Sequence, residues 1–241
     1  MTIDIKIIFE NDDFLVIDKP YGLVVNRSES QKDKTLQDWL EERYDFKSLP
    51  VTLQNNSEYE NEFLSRSGIV HRLDKETSGV LLCAKNEKSF VFFQNKFKSR
   101  EVSKKYIAIT YGKVLDDRFE IDAPIKRDPR NRFKYAVVRD GKEAQTFFEK
   151  VKDFEIDDKK FSIIYCFPRT GRTHQIRVHL AANMTPVVSD LIYSTKSELE
   201  ISQNLGFNRL MLHSYELKFQ GLNNEDYTFS SEPPEDFQKY L

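Results

Sequence analysis

Short apolar runs of strand-forming residues recur along this chain, and they limit the folds that it can adopt. Two of them fill most of residues 3–19 and are separated by ENDD at residues 10–13, whose side chains favour the turn of a β-hairpin. Other runs with strand propensity lie at residues 68–70, 80–85, 106–114, 143–151, 161–167, 209–219 and 226–230. Strands therefore dominate the predicted fold.

Helical patterns are fewer. Thr35 and Asn86 can each cap a helix, because apolar stripes at helical spacing follow them, and a third helix is predicted to start near Thr173. The polar stretch between the first helix and Arg66 has no clear periodicity, so we predict that it is irregular. This order of elements predicts an α+β fold with a mixed, largely antiparallel sheet and flanking helices, and not a doubly wound nucleotide fold.

The composition predicts one compact domain covering residues 1–241. With 39% hydrophobic residues, among them 19 Phe and 11 Tyr, the chain can bury a sizeable core, and no Gly-, Ser- or Pro-rich linker interrupts it. Acidic residues occur too early for a secretory signal, and no apolar run reaches the roughly 18 residues that span a bilayer. We expect a cytoplasmic monomer without membrane contacts.

The residues that most often bind metals are poorly placed for a metal site. Cys83 and Cys166 lie in apolar strand-like runs and not in C-x-x-C pairs, so we predict buried free thiols. On a helix, His174 and His179 would diverge by about 140° around the axis. No G-x-S-x-G sequence presents a serine nucleophile, so a hydrolase is also disfavoured.

The charges are unevenly distributed. The net charge is −2, but residues 96–134 contain 12 Lys or Arg against 6 Asp or Glu, whereas residues 216–241 contain 2 against 6. This asymmetry indicates a basic face, although such a run is often just a solvated surface.

The sequence HRLDKETSG at residues 71–79 combines an acid, a base and two hydroxyls between two apolar flanks. A strand rich in Val and Leu follows it and would fix the segment against the core. We therefore predict that the segment is a loop that holds Asp74 at a cleft wall. Taken alone, an aspartate in such an arginine-containing loop is equally typical of a surface turn or an ion pair.

Two further segments accompany it. Residues 168–181, PRTGRTHQIRVHLA, contain three arginines ahead of and within a predicted helix, and SKKYIAITYG places Tyr106 in a strand. Taken alone, Tyr106 is a half-buried strand residue and Ile176 belongs to the core face of an amphipathic helix.

These three segments resemble the catalytic motifs of the RluA-type pseudouridine synthases, which isomerise uridine to pseudouridine in RNA. The resemblance extends to DDFLVIDKPYGLVV near the start and RLMLHSYELKF near the end. It implies the pseudouridine synthase catalytic fold, a flipped uridine bound in a cleft between two halves of a sheet, and no metal or organic cofactor. It also implies a chain without an N-terminal S4-like domain, because the similarity begins almost at Met1.

The resemblance assigns three catalytic residues. Asp74 corresponds to the family's essential aspartate, and the chemical order in which it acts, on the sugar or on the pyrimidine, stays open. Tyr106 would pack against the uracil and could relay a proton from C5. Arg177 would pair with Asp74 and keep it ionised and oriented.

Five further residues are expected to bind the substrate. Arg169 and Arg172 would meet phosphates, and Ile176 would form an apolar wall of the uracil pocket. Arg72 would either contact phosphates or occupy the space that the extracted base vacates, and His71 belongs to the same predicted surface.

The chain departs from the family pattern after the third motif. Where relatives have Gly-His-Pro and then Gly-Asp, this sequence has Met184-Thr185-Pro186 and Ser189-Asp190. Since glycines shape turns, we expect altered loop geometry there. The predicted substrate is structured RNA, with ribosomal RNA preferred over transfer RNA, and DNA is not expected. The alternative is a non-catalytic RNA-binding protein on the same fold, and only turnover would separate the two.

Overall fold

A computed structural model describes residues 3–29, 31–46 and 57–241 of this chain. It divides into two compact units. The first comprises Met1–Ser103 and Glu216–Glu232, and the second comprises Lys104–Tyr215 and Pro233–Leu241. The predicted single domain over residues 1–241 stays a prediction.

Eleven strands and six helices are present among the described residues. The strands are β1 (Lys6–Glu10), β2 (Phe14–Lys19), β3 (Ser78–Ala84), β4 (Ser103–Tyr111), β5 (Arg118–Asp122), β6 (Ile125–Arg127), β7 (Tyr135–Val137), β8 (Gln145–Ile156), β9 (Lys159–Pro168), β10 (Leu212–Gln220) and β11 (Asp226–Ser230). The helices are α1 (Leu36–Arg43), α2 (Ser57–Arg66), α3 (Glu87–Lys98), α4 (Gln175–Ala182), α5 (Lys196–Asn204) and α6 (Glu235–Gln238). The α+β class is confirmed, and so is the largely antiparallel pairing.

The first unit begins with the predicted hairpin. Strands β1 and β2 pair antiparallel, and the Asn11 carboxamide oxygen accepts hydrogen bonds from the backbone N–H groups of Asp13 and Phe14 at 2.9 and 2.8 Å. Strand β2 also pairs with β3, which is buried along its whole length. The predicted strand at residues 68–70 forms only one isolated bridge, from Ile69 to Cys83.

Aromatic side chains fill the core of this unit. Phe14 is buried, and its ring centroid lies 5.5 Å from that of Phe93 on α3, 5.5 Å from that of Phe219 on β10 and 5.2 Å from that of Tyr227 on β11. Such edge-to-face contacts favour a single arrangement of the elements that carry them.

Capping residues define two helices of the first unit as predicted. Thr35 and Asn86 each form a capping box, in which the cap side chain accepts from the backbone N–H of Asp38 or Ser89, respectively. The prediction of an irregular stretch up to Arg66 is wrong for residues 57–66, which form α2, and its remaining residues 47–56 lie outside the described part of the chain.

Helix α2 was not predicted from the sequence because few of its residues are apolar. Its anchor is Phe63, which is buried with its ring 5.5 Å from the rings of Phe46 and Phe90. Glu62 and Arg66 lie one helical turn apart on its surface and form an ion pair of 2.8 Å. Tertiary packing therefore determines that these residues form a helix, although their sequence shows no helical periodicity.

The second unit is built on four antiparallel strands in the order β4-β9-β8-β5. Tyr106 on β4 lies opposite Cys166 on β9, which in turn lies opposite Phe148 on β8. Helix α4 packs against β8 and β9. Cys166, like Cys83 of the first unit, is buried as predicted, and burial raises the pKa of both thiols.

Strands β6 and β7 form a separate small hairpin in the second unit. Its inner side packs through Ile125 on Ala144 and on Val178 of α4. No helix among the described residues is both long and apolar enough to cross a membrane.

Candidate active site

The loop that carries Asp74 belongs to the first unit and is held by its own buried residues. Leu73 and Thr77 are buried on either side of the half-buried Asp74, and the Thr77 N–H donates to the Asp74 carbonyl at 3.1 Å. This closes a turn immediately before β3. The predicted loop followed by a strand is thus confirmed, and the core fixes the position from which the carboxylate projects.

Lys19 holds this turn in place through hydrogen bonds, a role that the sequence did not suggest. Its side chain is fully buried at the end of β2, and its Nζ donates to the carbonyls of Pro20 and Leu23 at 2.9 Å each and of Lys75 at 3.1 Å. A buried ammonium needs such acceptors, because its desolvation is otherwise costly. Lys19 therefore ties the residue after Asp74 to the loop that follows β2.

A second contact supports the same connection. The Gly22 N–H donates to the Lys75 carbonyl at 2.9 Å, and Gly22 has a φ of 83°, which favours glycine. The segment KPYG was recognisable in the sequence as part of the resemblance. Its contact with the turn was not, because the two lie more than fifty residues apart in the chain.

His71 is held in a fixed orientation. Its Nε2 accepts a hydrogen bond from the Leu82 N–H at 3.0 Å, and its ring stacks on Phe97 with centroids 4.4 Å apart. Accepting that bond requires an unprotonated Nε2. His71 thus has a structural role, and its predicted substrate contact stays a prediction, as does that of the exposed Arg72.

Arg177 is buried on α4 in the second unit, and its guanidinium forms a bidentate ion pair with Asp190. Nε lies 2.7 Å from Oδ2, and Nη2 lies 2.7 Å from Oδ1; the two side chains are only 2% and 0% exposed. Parallel bonds of this kind fix the plane of the guanidinium. The sequence singled out Asp190 only as part of an altered turn and missed this pairing.

Asp190 is itself fixed by the backbone. Its Oδ1 also accepts from the N–H groups of Ile192 and Tyr193 at 3.0 and 3.1 Å, and the Tyr193 ring centroid lies 5.3 Å from Cζ of Arg177. The predicted pair between Arg177 and Asp74 joins residues of different units and stays a prediction. The Asp190 contacts use Nε and Nη2 of the guanidinium.

A closed polar network shapes the loop before α4. The Thr170 hydroxyl donates to Oε1 of Gln175 at 2.7 Å, and the Arg172 N–H donates to the same oxygen at 3.0 Å. The Gln175 Nε2 donates to the Gln145 carbonyl and the Thr146 hydroxyl, at 2.9 and 3.0 Å. Buried networks that satisfy all their members hold one conformation.

The remaining predicted residues of the second unit lie on or next to these elements. Arg169 is exposed and its backbone N–H binds the Gln145 carbonyl at 3.0 Å, while Nε of Arg172 donates to the Glu143 carbonyl at 2.8 Å. Ile176 and Tyr106 are 6% and 9% exposed. The Arg172 guanidinium thus already binds a backbone carbonyl of the fold. The predicted contacts of Arg169, Arg172, Ile176 and Tyr106 with RNA stay predictions.

The two departures from the family pattern both adopt left-handed backbone conformations, with φ of 60° at Met184 and 58° at Ser189. At the end of α4, the Thr185 N–H binds the Leu180 carbonyl and the Met184 N–H binds the Ala181 carbonyl, which is the Schellman arrangement that usually has glycine at this position. The Ser189 hydroxyl donates to the Phe207 carbonyl at 2.7 Å. The backbone therefore has conformations that glycine favours, although neither residue is glycine.

The histidines of the third segment have separate protein partners. Nδ1 of His174 lies 2.9 Å from the Tyr193 hydroxyl. In the buried His179 ring, Nδ1 lies 3.0 Å from the Thr146 hydroxyl and Nε2 donates to the Ala123 carbonyl at 3.0 Å, while burial lowers the pKa. Within the described residues, no group of three or more His, Cys, Asp or Glu could hold a metal ion.

The chain is similar to known proteins over its whole length. A family model described as RNA pseudouridylate synthase matches residues 13–182. Ribosomal large subunit pseudouridine synthase D of Borreliella burgdorferi is 37% identical over 100% of this chain and 68% of the relative. The protein of the same name from Xanthomonas campestris is 34% identical over 99% of this chain and 69% of the relative. The solved structure of Human RNA Pseudouridylate Synthase Domain Containing 1 has a TM-score of 0.73 at 26% identity, covering 96% of this chain and 84% of that one.

Proposed function

This chain belongs to the RNA pseudouridylate synthase family, as an enzyme that isomerises uridine in RNA, and we propose that it acts on large-subunit ribosomal RNA with Asp74 as its catalytic carboxylate. The observation that carries the proposal is the HRLDKETSG segment, which is folded as an anchored turn with a half-buried aspartate. The names of the Borreliella and Xanthomonas relatives support ribosomal RNA over transfer RNA.

The reaction needs no redox cofactor. The bond from N1 of uracil to C1′ of the ribose breaks, the base turns, C5 bonds to C1′, and the proton on C5 leaves while N1 gains one. A carboxylate beside the sugar can assist the cleavage and later accept a proton. In this proposal Asp74 supplies that carboxylate, and its turn keeps it in place during both steps.

The other predicted residues support this step. Arg177 keeps the carboxylate ionised, and the bidentate contact with Asp190 holds the guanidinium ready for it. Tyr106 packs against the uracil, and Ile176 forms an apolar wall beside it. His71, Arg72, Arg169 and Arg172 contact the surrounding RNA. A monomer in the cytoplasm is part of the same proposal.

Tritium release tests the proposal, because forming the C5–C1′ bond must expel the hydrogen on C5. Unmodified large-subunit ribosomal RNA and unmodified transfer RNA, each labelled with 5-tritiated uridine, are incubated separately with the intact chain, Asp74→Asn and Asp116→Asn. Asp116 is exposed and serves as the control aspartate.

Release from ribosomal RNA by the intact chain and Asp116→Asn, but not by Asp74→Asn, is the expected result. Release only from transfer RNA would overturn the ribosomal assignment. Release at a normal rate by Asp74→Asn would remove Asp74 from the chemistry. RNA binding without release from either substrate would favour the non-catalytic alternative.

A further inference from the structure

A basic hairpin in the second unit lies outside the residues that the proposed reaction uses. Strands β6 and β7 pair from Ile125 to Val137, and an additional bridge joins Ile125 to Lys142. We call residues 125–142 the basic arm. It contains seven Lys or Arg and two Asp, so it accounts for much of the charge asymmetry in the sequence.

Most of this charge faces solvent. The exposed cations of the basic arm are Lys126, Arg127, Arg130, Arg132, Arg139 and Lys142. Asp140 forms an ion pair with Lys126 at 2.6 Å, while Asp128 lies 3.8 Å from Nε of Arg130, whose side chain is 93% exposed. Two carboxylates cannot neutralise seven cations, so the surface keeps a positive excess.

Aromatic rings alternate with these cations. Phe133 is 65% exposed, an unusual position for a phenylalanine, and Cζ of Arg132 lies 5.0 Å from its ring centroid. Cζ of Arg127 lies 5.4 Å from the centroid of Tyr135, whose hydroxyl accepts from Nη2 at 2.9 Å. An exposed ring next to an arginine is suited to stack on an unpaired base while the guanidinium meets a phosphate.

The loop that presents Phe133 is ordered by its own hydrogen bonds. The Asp128 N–H donates to the Lys134 carbonyl at 2.9 Å, and the Asp128 and Asn131 side chains accept from the N–H groups of Arg130 and Phe133 at 2.8 and 3.0 Å. The loop therefore has a defined conformation before any ligand binds, which lowers the entropic cost of binding.

The base of the arm is fixed to the helix that carries Arg177. The Tyr135 N–H donates to the Tyr193 hydroxyl at 2.9 Å, and the Tyr193 ring lies beside the Arg177 guanidinium. At Gly141, a Cβ would lie 2.7 Å from the backbone nitrogen of Ile125, so the backbones approach too closely for any other residue. Ile125 also packs against Val178 of α4, so the arm and α4 are in direct contact within the second unit.

We propose that the basic arm is a docking surface for an unpaired stretch of the substrate RNA, in which Arg130 and Arg132 bind phosphates and Phe133 stacks on a base. This inference rests on the proposed function, since it assigns the arm to the same RNA. It adds a site that reads unpaired RNA, because a single-stranded segment offers both an accessible base face and adjacent phosphates.

The phosphate contacts are tested with Arg130→Ala/Arg132→Ala and a matched control, Lys159→Ala/Lys160→Ala, which removes two exposed cations at the start of β9. The probe is a fluorescein-labelled RNA hairpin with a single-stranded loop, titrated at several potassium chloride concentrations. We expect the arm variant to bind about tenfold more weakly at near-physiological salt, and the slope of log K against log salt to become shallower by about 1.4. The control should retain the intact chain's affinity and slope.

The stacking contact is tested with Phe133→Ala against Leu115→Ala, which removes an apolar side chain that is 90% exposed. Phe133→Ala should bind the hairpin probe roughly tenfold more weakly. Its affinity for the same stem closed into a continuous duplex should stay within about twofold, because a paired base offers no free face.

Single-turnover tritium release at saturating enzyme separates this inference from the proposed function. The arm variants should keep the rate of the intact chain and lose affinity only. Equal affinities of arm and control variants would overturn the docking role even if turnover is normal. An equal loss for hairpin and duplex probes with Phe133→Ala would overturn the stacking assignment. Absence of turnover by the intact chain would contradict the proposed function and leave the affinity results interpretable.

Discussion

At the residue scale, the side chains that are proposed to act on RNA are held in position by other side chains that have no proposed contact with RNA. Arg177 is predicted to contact the catalytic carboxylate, but its orientation comes from Asp190, which in turn is fixed by two backbone N–H groups. The sequence could predict Arg177 because it stands in a recognisable motif. It could not predict Asp190, since an aspartate in a turn has many possible partners.

Arg177→Lys is expected to fold and to lose activity. A lysine keeps the positive charge, but it offers a single nitrogen where Asp190 now receives two parallel bonds, so the cation is no longer fixed in direction. We expect a single-turnover rate about 100-fold lower, in line with the cost of a small misplacement in an active site. The measurement is tritium release at saturating enzyme, with Arg118→Lys, at an exposed arginine of β5, as the control. A rate equal to that of the intact chain would show that bidentate geometry is unnecessary.

Met184→Gly is expected to stabilise the protein. Met184 is 87% exposed and has a φ of 60°, so the substitution removes little packing and relieves the left-handed strain of a side chain. The free energy of unfolding should rise by about 1 kcal/mol. Urea denaturation followed by circular dichroism measures it.

Ser189→Gly provides the comparison for that result. It relieves the same kind of strain at a φ of 58°, but it also deletes the hydrogen bond from the Ser189 hydroxyl to the Phe207 carbonyl. Its gain in stability should therefore be smaller than that of Met184→Gly. A larger gain would mean that backbone strain does not govern these two turns.

At the scale of elements, the predictions that rested on local capping and turn residues are confirmed, although the capping box of Thr195 and Glu198 at the start of α5 was missed. Thr35 and Asn86 cap their helices because each precedes an apolar stripe, and the opening hairpin follows from its turn residues. Helix α2 and the three-residue strands β6 and β7 were missed, since their formation depends on contacts such as those of Phe63 and Ile125. The link from β2 to the Asp74 turn through Lys19 is equally non-local.

Lys19→Met tests that link. Methionine fills a similar volume but leaves the carbonyls of Pro20, Leu23 and Lys75 without the ammonium that they now share. We expect a loss of about 2–4 kcal/mol in the free energy of unfolding, because buried acceptors lose a charged donor. The single-turnover rate under native conditions should also fall, because the turn beside Asp74 loosens.

Both quantities are measured on Lys19→Met and on Lys6→Met, which replaces an exposed lysine of β1. The control should behave like the intact chain in urea denaturation and in tritium release. A destabilised Lys19→Met that turns over at the normal rate would limit Lys19 to the fold and exclude a role in positioning the turn.

At the scale of the whole molecule, the two units contain different acid-sensitive groups. In the first unit, hydrogen bonds and charge from Lys85, with further bonds from Tyr44 and Arg43, lower the pKa of Glu10 to about 2. In the second unit, burial lowers the pKa of His179 below its ordinary value, since its ring is bonded in the neutral form to Thr146 and Ala123. Their ordinary pKa values, 6.5 for His179 and 4.5 for Glu10, set the pH at which acid begins to act on each.

The loss of stability due to His179 is therefore expected to begin at a higher pH than the loss due to Glu10. As the pH falls below about 6.5, the unfolded state takes up a proton on His179 that the folded state does not, so stability declines by at most about 1.4 kcal/mol per pH unit. The stabilisation from Glu10 is complete above its ordinary pKa of 4.5 and is lost only as the pH falls towards about 2. Urea denaturation between these limits should show the two losses in sequence.

Two substitutions distinguish the two groups in that experiment. Unfolding is followed by the fluorescence of the single tryptophan, Trp39 on α1, and by circular dichroism. His179→Gln should flatten the decline in the free energy of unfolding near pH 6, and Glu10→Gln should flatten only the decline below pH 4.5. If His179→Gln kept the slope of the intact chain near pH 6, another group would be responsible for the acid sensitivity of the protein near that pH.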